Sequence, residues 1–255
     1  MDRIKIWWQS STGIEKYKAY KQAIEDHGRS VLNLGTEIEV HGVDHGCDLD
    51  YHYSSFLNSS EIFNNYVRAQ NEGFSAIAVG CGMDPCLDEA KEILDIPILG
   101  LSETGMHIAC MMGRKFAVIT HSELLNLKRI NMLIEKYGLY SRSVSPVSFS
   151  IDIDSLASSF DNPQKVMDKF IEAARYAIKQ GADVIVPGCN ILNLVAVKNH
   201  LWEIDGVTVL DATGTLMKMI ESAVILKRTS GFGVSRKGYF QPPSQIVNLR
   251  PNVIL

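Results

Sequence analysis

The chain predicts an α/β fold of two pseudo-symmetric lobes, each a mainly parallel sheet flanked by helices, with an active site in the cleft between them. Three observations carry that expectation. Short apolar runs alternate with longer amphipathic ones through most of the chain, the pattern of β-α-β units. The alternation then repeats itself, and each copy places a Gly-Cys pair where an apolar strand ends.

The elements follow in order. "IKIWW" (4–8) reads as a buried strand, and "GIEKYKAYKQAIEDHG" (13–28) as its helix, with Ile14, Tyr17, Tyr20, Ala23 and Ile24 at helical spacing. "EIEVHGV" (37–43) is a second strand. "SSEIFNNYVRAQNEG" (59–73) predicts a helix with a serine N-cap, closed by Gly73. "FSAIAVGC" (74–81) and "IPILGLS" (96–102) continue the alternation, the first leading into a helix opened by Asp84-Pro85. "RKFAVIT" (114–120), "HSELLNLKRINMLIEKYG" (121–138), "NPQKVMDKFIEAARYAIKQGADVIVPGC" (162–189) and "VTVLDATGTLMKMIESAV" (207–224) then retrace the same course. Ile4 and Phe116, Cys81 and Cys189, and Ile98 and Val207 are landmarks that each recur about 110 positions on. The expected units are an N-terminal lobe at 1–113 with Cys81, a C-terminal lobe at 114–228 with Cys189, and a tail at 229–255 packing on a lobe or a neighbouring subunit.

Composition narrows the function classes. With 46% apolar and 21% charged residues and a net charge of −4, the chain has no basic footprint for nucleic acid. No apolar stretch approaches a membrane span, and the N-terminus enters a strand without a signal-like apolar segment. A cytoplasmic protein acting on a small molecule, as a homo-oligomer, is expected. Its five cysteines are scattered without a C-x-x-C pair, which suggests neither a disulfide framework nor a zinc ribbon.

A lone cysteine is most often a small buried hydrophobe, and Cys110, inside "MHIACMM", fits that reading. Cys86 is expected to pack. Cys81 and Cys189 differ because the repeat sets them at equivalent strand ends, where open α/β sheets bind ligands. Unpaired amides at a following helix start would favour the thiolate. Two thiols facing each other across one carbon acid could remove a proton from one face and return one to the other. Neither a metal nor an organic cofactor is needed for that inversion.

"GCGMDPCLDEAKEILDIPILGLSETGMHIACMMGRKFAVIT" and "GADVIVPGCNILNL" resemble the first-lobe and second-lobe motifs of the hydantoin racemase branch of the aspartate/glutamate racemase superfamily. "IKIWWQSSTG" occupies the place of the N-terminal substrate-binding loop in that family. The resemblance covers most of residues 1–228 and implies that Cys81 and Cys189 are the catalytic pair of a cofactor-independent racemase or epimerase. A 5-substituted hydantoin or another amino-acid derivative is the implied substrate. The chain departs from the usual signatures in having Gly82 and Asn190 after its cysteines. Cysteines in both lobes argue against arylmalonate decarboxylation, for which the related enzymes use one. A maleate-type cis–trans isomerase with a cysteine nucleophile, and a ligand-binding or redox-sensing protein without turnover, stay open as alternatives.

Supporting groups are expected at the strand ends. Gln9, Ser10 and Ser11 in the first lobe, and Thr120, His121 and Ser122 in the second, could hydrogen-bond a carboxylate, imide or ring carbonyl. Amides near Gly82, Met83 and Asn190 could stabilise an enolate oxygen. For Ser122, helix capping is an equal reading. Asp84 and Asp88 most simply favour the start of the helix that follows them. "HGVDHGCDLDYH" (41–52) holds His41, His45, Cys47 and His52 among aspartates, yet its spacing matches no recurrent zinc pattern. It is expected to line the cleft, with His45, Tyr51 or Tyr53 touching substrate.

Overall fold

The computed structural model describes residues 3–44, 51–121 and 124–244. The first half runs β1 (Ile4–Gln9), α1 (Lys18–Val31), β2 (Thr36–His41), α2 (His52–Asn71), β3 (Ala76–Val79), α3 (Leu87–Ile93), β4 (Ile98–Gly100) and α4 (Leu101–Met112). The second runs β5 (Phe116–His121), α5 (Leu124–Lys136), β6 (Val147–Phe149), α6 (Ile153–Ser158) and α7 (Gln164–Lys179). It continues with β7 (Val184–Pro187), α8 (Asn190–Lys198), β8 (Glu203–Ile204), β9 (Val207–Val209) and α9 (Ala212–Ser230).

Among the described residues the strands form two sheets, ordered β2-β1-β3-β4 and β6-β5-β7-β9-β8. Every neighbouring pair is parallel except β8 with β9, a short hairpin edge. Matching β1 with β5, β2 with β6, β3 with β7 and β4 with β9 makes the two orders coincide. The internal repeat of the sequence is thus a repeat of topology. β3 and β7 are apolar and buried throughout, as strands covered on both faces must be.

Packing joins the halves. α4 follows the first sheet but lies against β5 and β7 of the second, while α9 lies against β1, β3 and β4 of the first, and the two helices pack on each other. One continuous core therefore runs from Ile6, Trp8 and Ala78 through Leu216 and Ile220 to Ile119 and Ile185. The outer face of the first sheet is closed by α2 and α3 through Trp7, Ile62, Tyr66 and Leu87. Met106, Ile130 and Ile134 close the corresponding face of the second over Val118 and Val186.

Several boundaries depart from the sequence expectation. α1 starts at Lys18, because residues 13–17 form turns in which Lys16 and Tyr17 donate to the carbonyls of Gly13 and Ile14. α2 starts at His52, so Ser59 is an interior residue, its hydroxyl bonded to the Ser55 carbonyl at 2.7 Å, and not an N-cap. Its first turn carries the exposed Tyr51, Tyr53 and Phe56, which offer no buried stripe to read. α3 starts only at Leu87, since Asp84 and Cys86 adopt left-handed conformations either side of Pro85. Asp84 consequently does not serve α3. Its buried carboxylate accepts from the Ser102 and Glu103 amides, at 3.0 and 2.7 Å, and so caps α4.

Residues 231–244 form neither helix nor strand and lie along the first lobe. Arg236 donates to the carbonyls of Lys91, Glu92 and Leu94, and Tyr239 to Asp88 at 3.3 Å. No helix among the described residues is long and apolar enough to cross a membrane.

Candidate active site

Cys81 is the second residue after β3, in the loop that follows it, and Cys189 the second after β7 and the residue preceding α8. Both are partly exposed. β3 and β7 hold the same place in their sheets, and their C-terminal loops touch. A Cβ added to Gly82 would come within 2.0 Å of the Gly188 carbonyl oxygen, and one added to Gly188 within 2.6 Å of a Val118 methyl. No side chain fits at either position, so these glycines permit the two cysteine-bearing loops to approach, close enough for Cys189 to act electrostatically on Cys81.

The two thiols are held differently. Burial pushes Cys81 up to about 11, against the opposing contacts of the Ser11 hydroxyl and the Met83 amide, and Asp84 and Cys189 add to the rise. Burial also pushes Cys189 up, but the His121 charge and hydrogen bond, with the amides of Leu192 and Ile191, overcome it and leave the thiol below its ordinary value. His121 leads the difference, and the local chain adds to it. α8 begins directly after Cys189 and presents its unpaired amides, whereas the turn at 82–86 withholds α3 from Cys81. Cys81 is raised, against the expectation that the helix start after it would favour its thiolate. A thiol held toward its protonated form near one favoured toward its ionised form is an arrangement suited to an acid and a base.

The other candidates divide by what occupies their side chains. Ser11 is buried beside Cys81, and its hydroxyl has no oxygen or nitrogen partner. Ser10 is tied to Thr12 at 3.0 Å. The Gln9 amide accepts from Trp7 at 2.9 Å and donates to the carbonyls of Ser10 and Gly42, so it fastens the end of β1. Thr120 is buried and donates to the His121 carbonyl at 3.2 Å. Asn190 donates to the Tyr20 hydroxyl at 2.7 Å and accepts from Thr213. Gly82 accepts from the Ser102 hydroxyl at 2.7 Å. His45, Cys47 and Ser122 lie outside the described residues, and His41 stacks on Trp7 with ring centroids 3.3 Å apart. Cys86 donates to the Ser59 carbonyl at 3.3 Å.

A cavity of about 390 Å³ opens from Cys81, Ser11 and Met83 between α2 and α5. His52, Ser55 and Ser59 line one wall, and Arg129 and Lys136 the other. Tyr51 and Tyr53 do not line it. Sequence reasoning missed both walls, and it missed a polar network behind Cys189. There Asn193 joins Thr213 at 2.8 Å to Asp211 at 2.9 Å, and Asp211 meets His27 at 2.7 Å, tying α1 to the start of α9. One signal was present: a tyrosine at a core position of a helix needs a partner for its hydroxyl, and Tyr20 finds Asn190.

Comparison with known proteins places this geometry among others. The family model described as Asp/Glu/Hydantoin racemase matches residues 12–220. The chain is 24% identical to a hydantoin racemase of Paenarthrobacter aurescens, over 89% of its own length and 93% of that protein's. It is 23% identical to one from Pseudomonas sp. (strain NS671), over 83% and 84%. The allantoin racemase structure from Pseudomonas fluorescens superposes with a TM-score of 0.79 at 20% identity, covering 94% of this chain and 97% of that one. The allantoin racemase from Klebsiella pneumoniae gives 0.76 at 22% identity, covering 94% of each chain. These structural likenesses share the fold.

Proposed function

The chain belongs to the Asp/Glu/hydantoin racemase family, and we propose that it racemises a 5-substituted hydantoin or a related amino-acid derivative, with Cys81 and Cys189 as acid and base and with no cofactor. The observation that supports this reading is the contact of Gly82 with Gly188, which brings together the loops that carry two strand-end thiols shifted in opposite directions. The relatives named hydantoin racemase supply the substrate class.

In one direction the Cys189 thiolate takes the proton from the carbon beside the ring carbonyl, and the electron pair moves into an enolate. The Cys81 thiol then delivers its proton to the opposite face. Cys189 is left as thiol and Cys81 as thiolate, the state that accepts the mirror-image substrate. The amides of Ile191 and Leu192, with those of the turn at Gly82 and Met83, are the donors for charge that develops on the enolate oxygen and on sulfur. A ring carbonyl next to the stereocentre makes this proton more acidic than that of a plain amino acid, so less stabilisation is asked of the site. The same reading takes the protein to be a cytoplasmic homo-oligomer, which light scattering after size exclusion would check.

The test is racemisation in deuterated water. Each enantiomer should yield product labelled at the stereocentre, and Cys81→Ser and Cys189→Ser should each lower turnover roughly 10²- to 10⁴-fold. Racemisation surviving in both single variants would remove the two-thiol mechanism.

A further inference from the structure

We propose that Tyr20 is a positioning residue of the racemase site: its buried hydroxyl joins Asn190, the neighbour of Cys189, to Ser10, the neighbour of the serine beside Cys81, and so holds the two cysteine-bearing halves in register. The inference rests on the racemase reading above and adds to it a residue of α1, outside both cysteine motifs.

Each hydrogen bond behind Cys189 has a direction that follows from its origin. The Ala212 amide can only donate, and it donates to Asn193 Oδ1 at 2.9 Å, which turns Asn193 Nδ2 toward Asp211 at 2.9 Å and Thr213 at 2.8 Å. The Thr213 hydroxyl accepts there and donates onward to Asn190 Oδ1. Asn190 Nδ2 then donates to the Tyr20 hydroxyl at 2.7 Å, so the chain ends on the phenol oxygen. Asn190, Thr213 and Tyr20 are all buried, and water does not replace the acceptor that Tyr20 offers.

The same hydroxyl also meets that of Ser10. Ser10 is bonded to Thr12 at 3.0 Å, and Ser11 between them meets Cys81 through its own hydroxyl. Tyr20 thus touches one residue adjacent in sequence to Cys189 and one adjacent to the partner of Cys81. Burial pushes the phenol above its ordinary value; the contacts of Asn190 and Ser10 oppose the rise, and the charges of Cys189 and Cys81 add to it. A neutral hydroxyl therefore stands within the field of both sulfurs at neutral pH. Packing alone asks nothing of that oxygen. Phe160 lies along the ring with centroids 6.4 Å apart, and phenylalanine would fill the same space.

Tyr20→Phe is the experiment, because it keeps the ring and takes the acceptor from Asn190. Racemisation of a 5-substituted hydantoin should lose roughly tenfold or more in kcat with KM held within about twofold, since displaced reacting groups cost rate before they cost binding. Alkylation of Cys189 by iodoacetamide at neutral pH should slow at least about threefold, as the first turn of α8 and its amides recede from the sulfur. A purely structural role would lower Tm and move neither reading. Unchanged kcat, or a loss confined to KM, would overturn the assignment whatever the Tm. Should Tyr20→Phe fail to fold, Asn190→Ala breaks the same link from its other end and takes its place in both measurements. A wild-type protein that racemises no hydantoin would instead overturn the racemase reading, and an alkylation rate of Cys189 unmoved by Tyr20→Phe would then overturn the role of Tyr20 by itself.

Discussion

At the scale of single residues, the proposed site depends on two cysteines that the sequence makes equivalent and the fold makes unlike. Cys189 is favoured toward the thiolate and Cys81 is held toward the thiol, so iodoacetamide should modify Cys189 first, at least about tenfold faster, as peptide mass spectrometry would show. His121→Phe should slow that reaction by removing the charge and hydrogen bond that oppose burial. In the proposed direction that starts with Cys189 as base, the active form has Cys189 ionised and Cys81 protonated. Activity in that direction should therefore rise with pH below the ordinary thiol value, hold a plateau, and fall as Cys81 loses its proton near pH 11. A plateau ending near pH 9 would mean that Cys81 is not held in the protonated form. Cys81 and Cys189 were legible as candidates through their Gly-Cys context, but the polar partners of Cys189 were not, because His121 lies 68 positions away (189 − 121) on another strand.

At the scale of elements, the turn at 82–86 and the start of α8 give the two cysteines different surroundings. Gly82→Ala forces a Cβ to within 2.0 Å of a backbone oxygen, so the two loops must separate. Catalysis should fall about 10²-fold or more while circular dichroism stays native, since small displacements of reacting groups are costly. Gly105→Ala, in the middle of α4, is the contrasting case. Its new methyl would meet Ala212, Val186 and Leu210 at 3.5 to 3.8 Å, ordinary contact distances. It should raise stability by about 0.5–1 kcal/mol, read as a higher Tm, with racemisation intact. The strands and most helices were readable from periodicity. The start of α2 was not, for its first turn faces solvent and the cavity, and a helix without a buried stripe leaves no apolar period to find.

At the scale of the molecule, the proposed lobes at 1–113 and 114–228 each lend their last helix to the other sheet. α9 covers strands of the first half, β1 at the very start of the chain among them, and the core is continuous through it. Unfolding in urea should therefore be a single transition, with the fluorescence of Trp7 and Trp8 coincident with the far-ultraviolet signal. A fragment of residues 1–113 should stay unfolded alone, because the face of its sheet that α9 covers would be bare. Two separated transitions, or a folded fragment, would show the halves to be independent.

Alternation, repeat and strand-end cysteines are local patterns, so the order of amino acids alone determined the α/β class, the doubling of the unit and the two sulfur atoms. Which helix covers which sheet, which thiol is favoured to ionise and what lines the cavity depend on contacts between residues far apart in the chain. Those were decided only when the tertiary structure set Gly82 on Gly188, His121 beside Cys189, and α2 across from α5. The physical reason is that periodicity reports the environment each element needs, whereas protonation and recognition depend on which distant groups come to supply it.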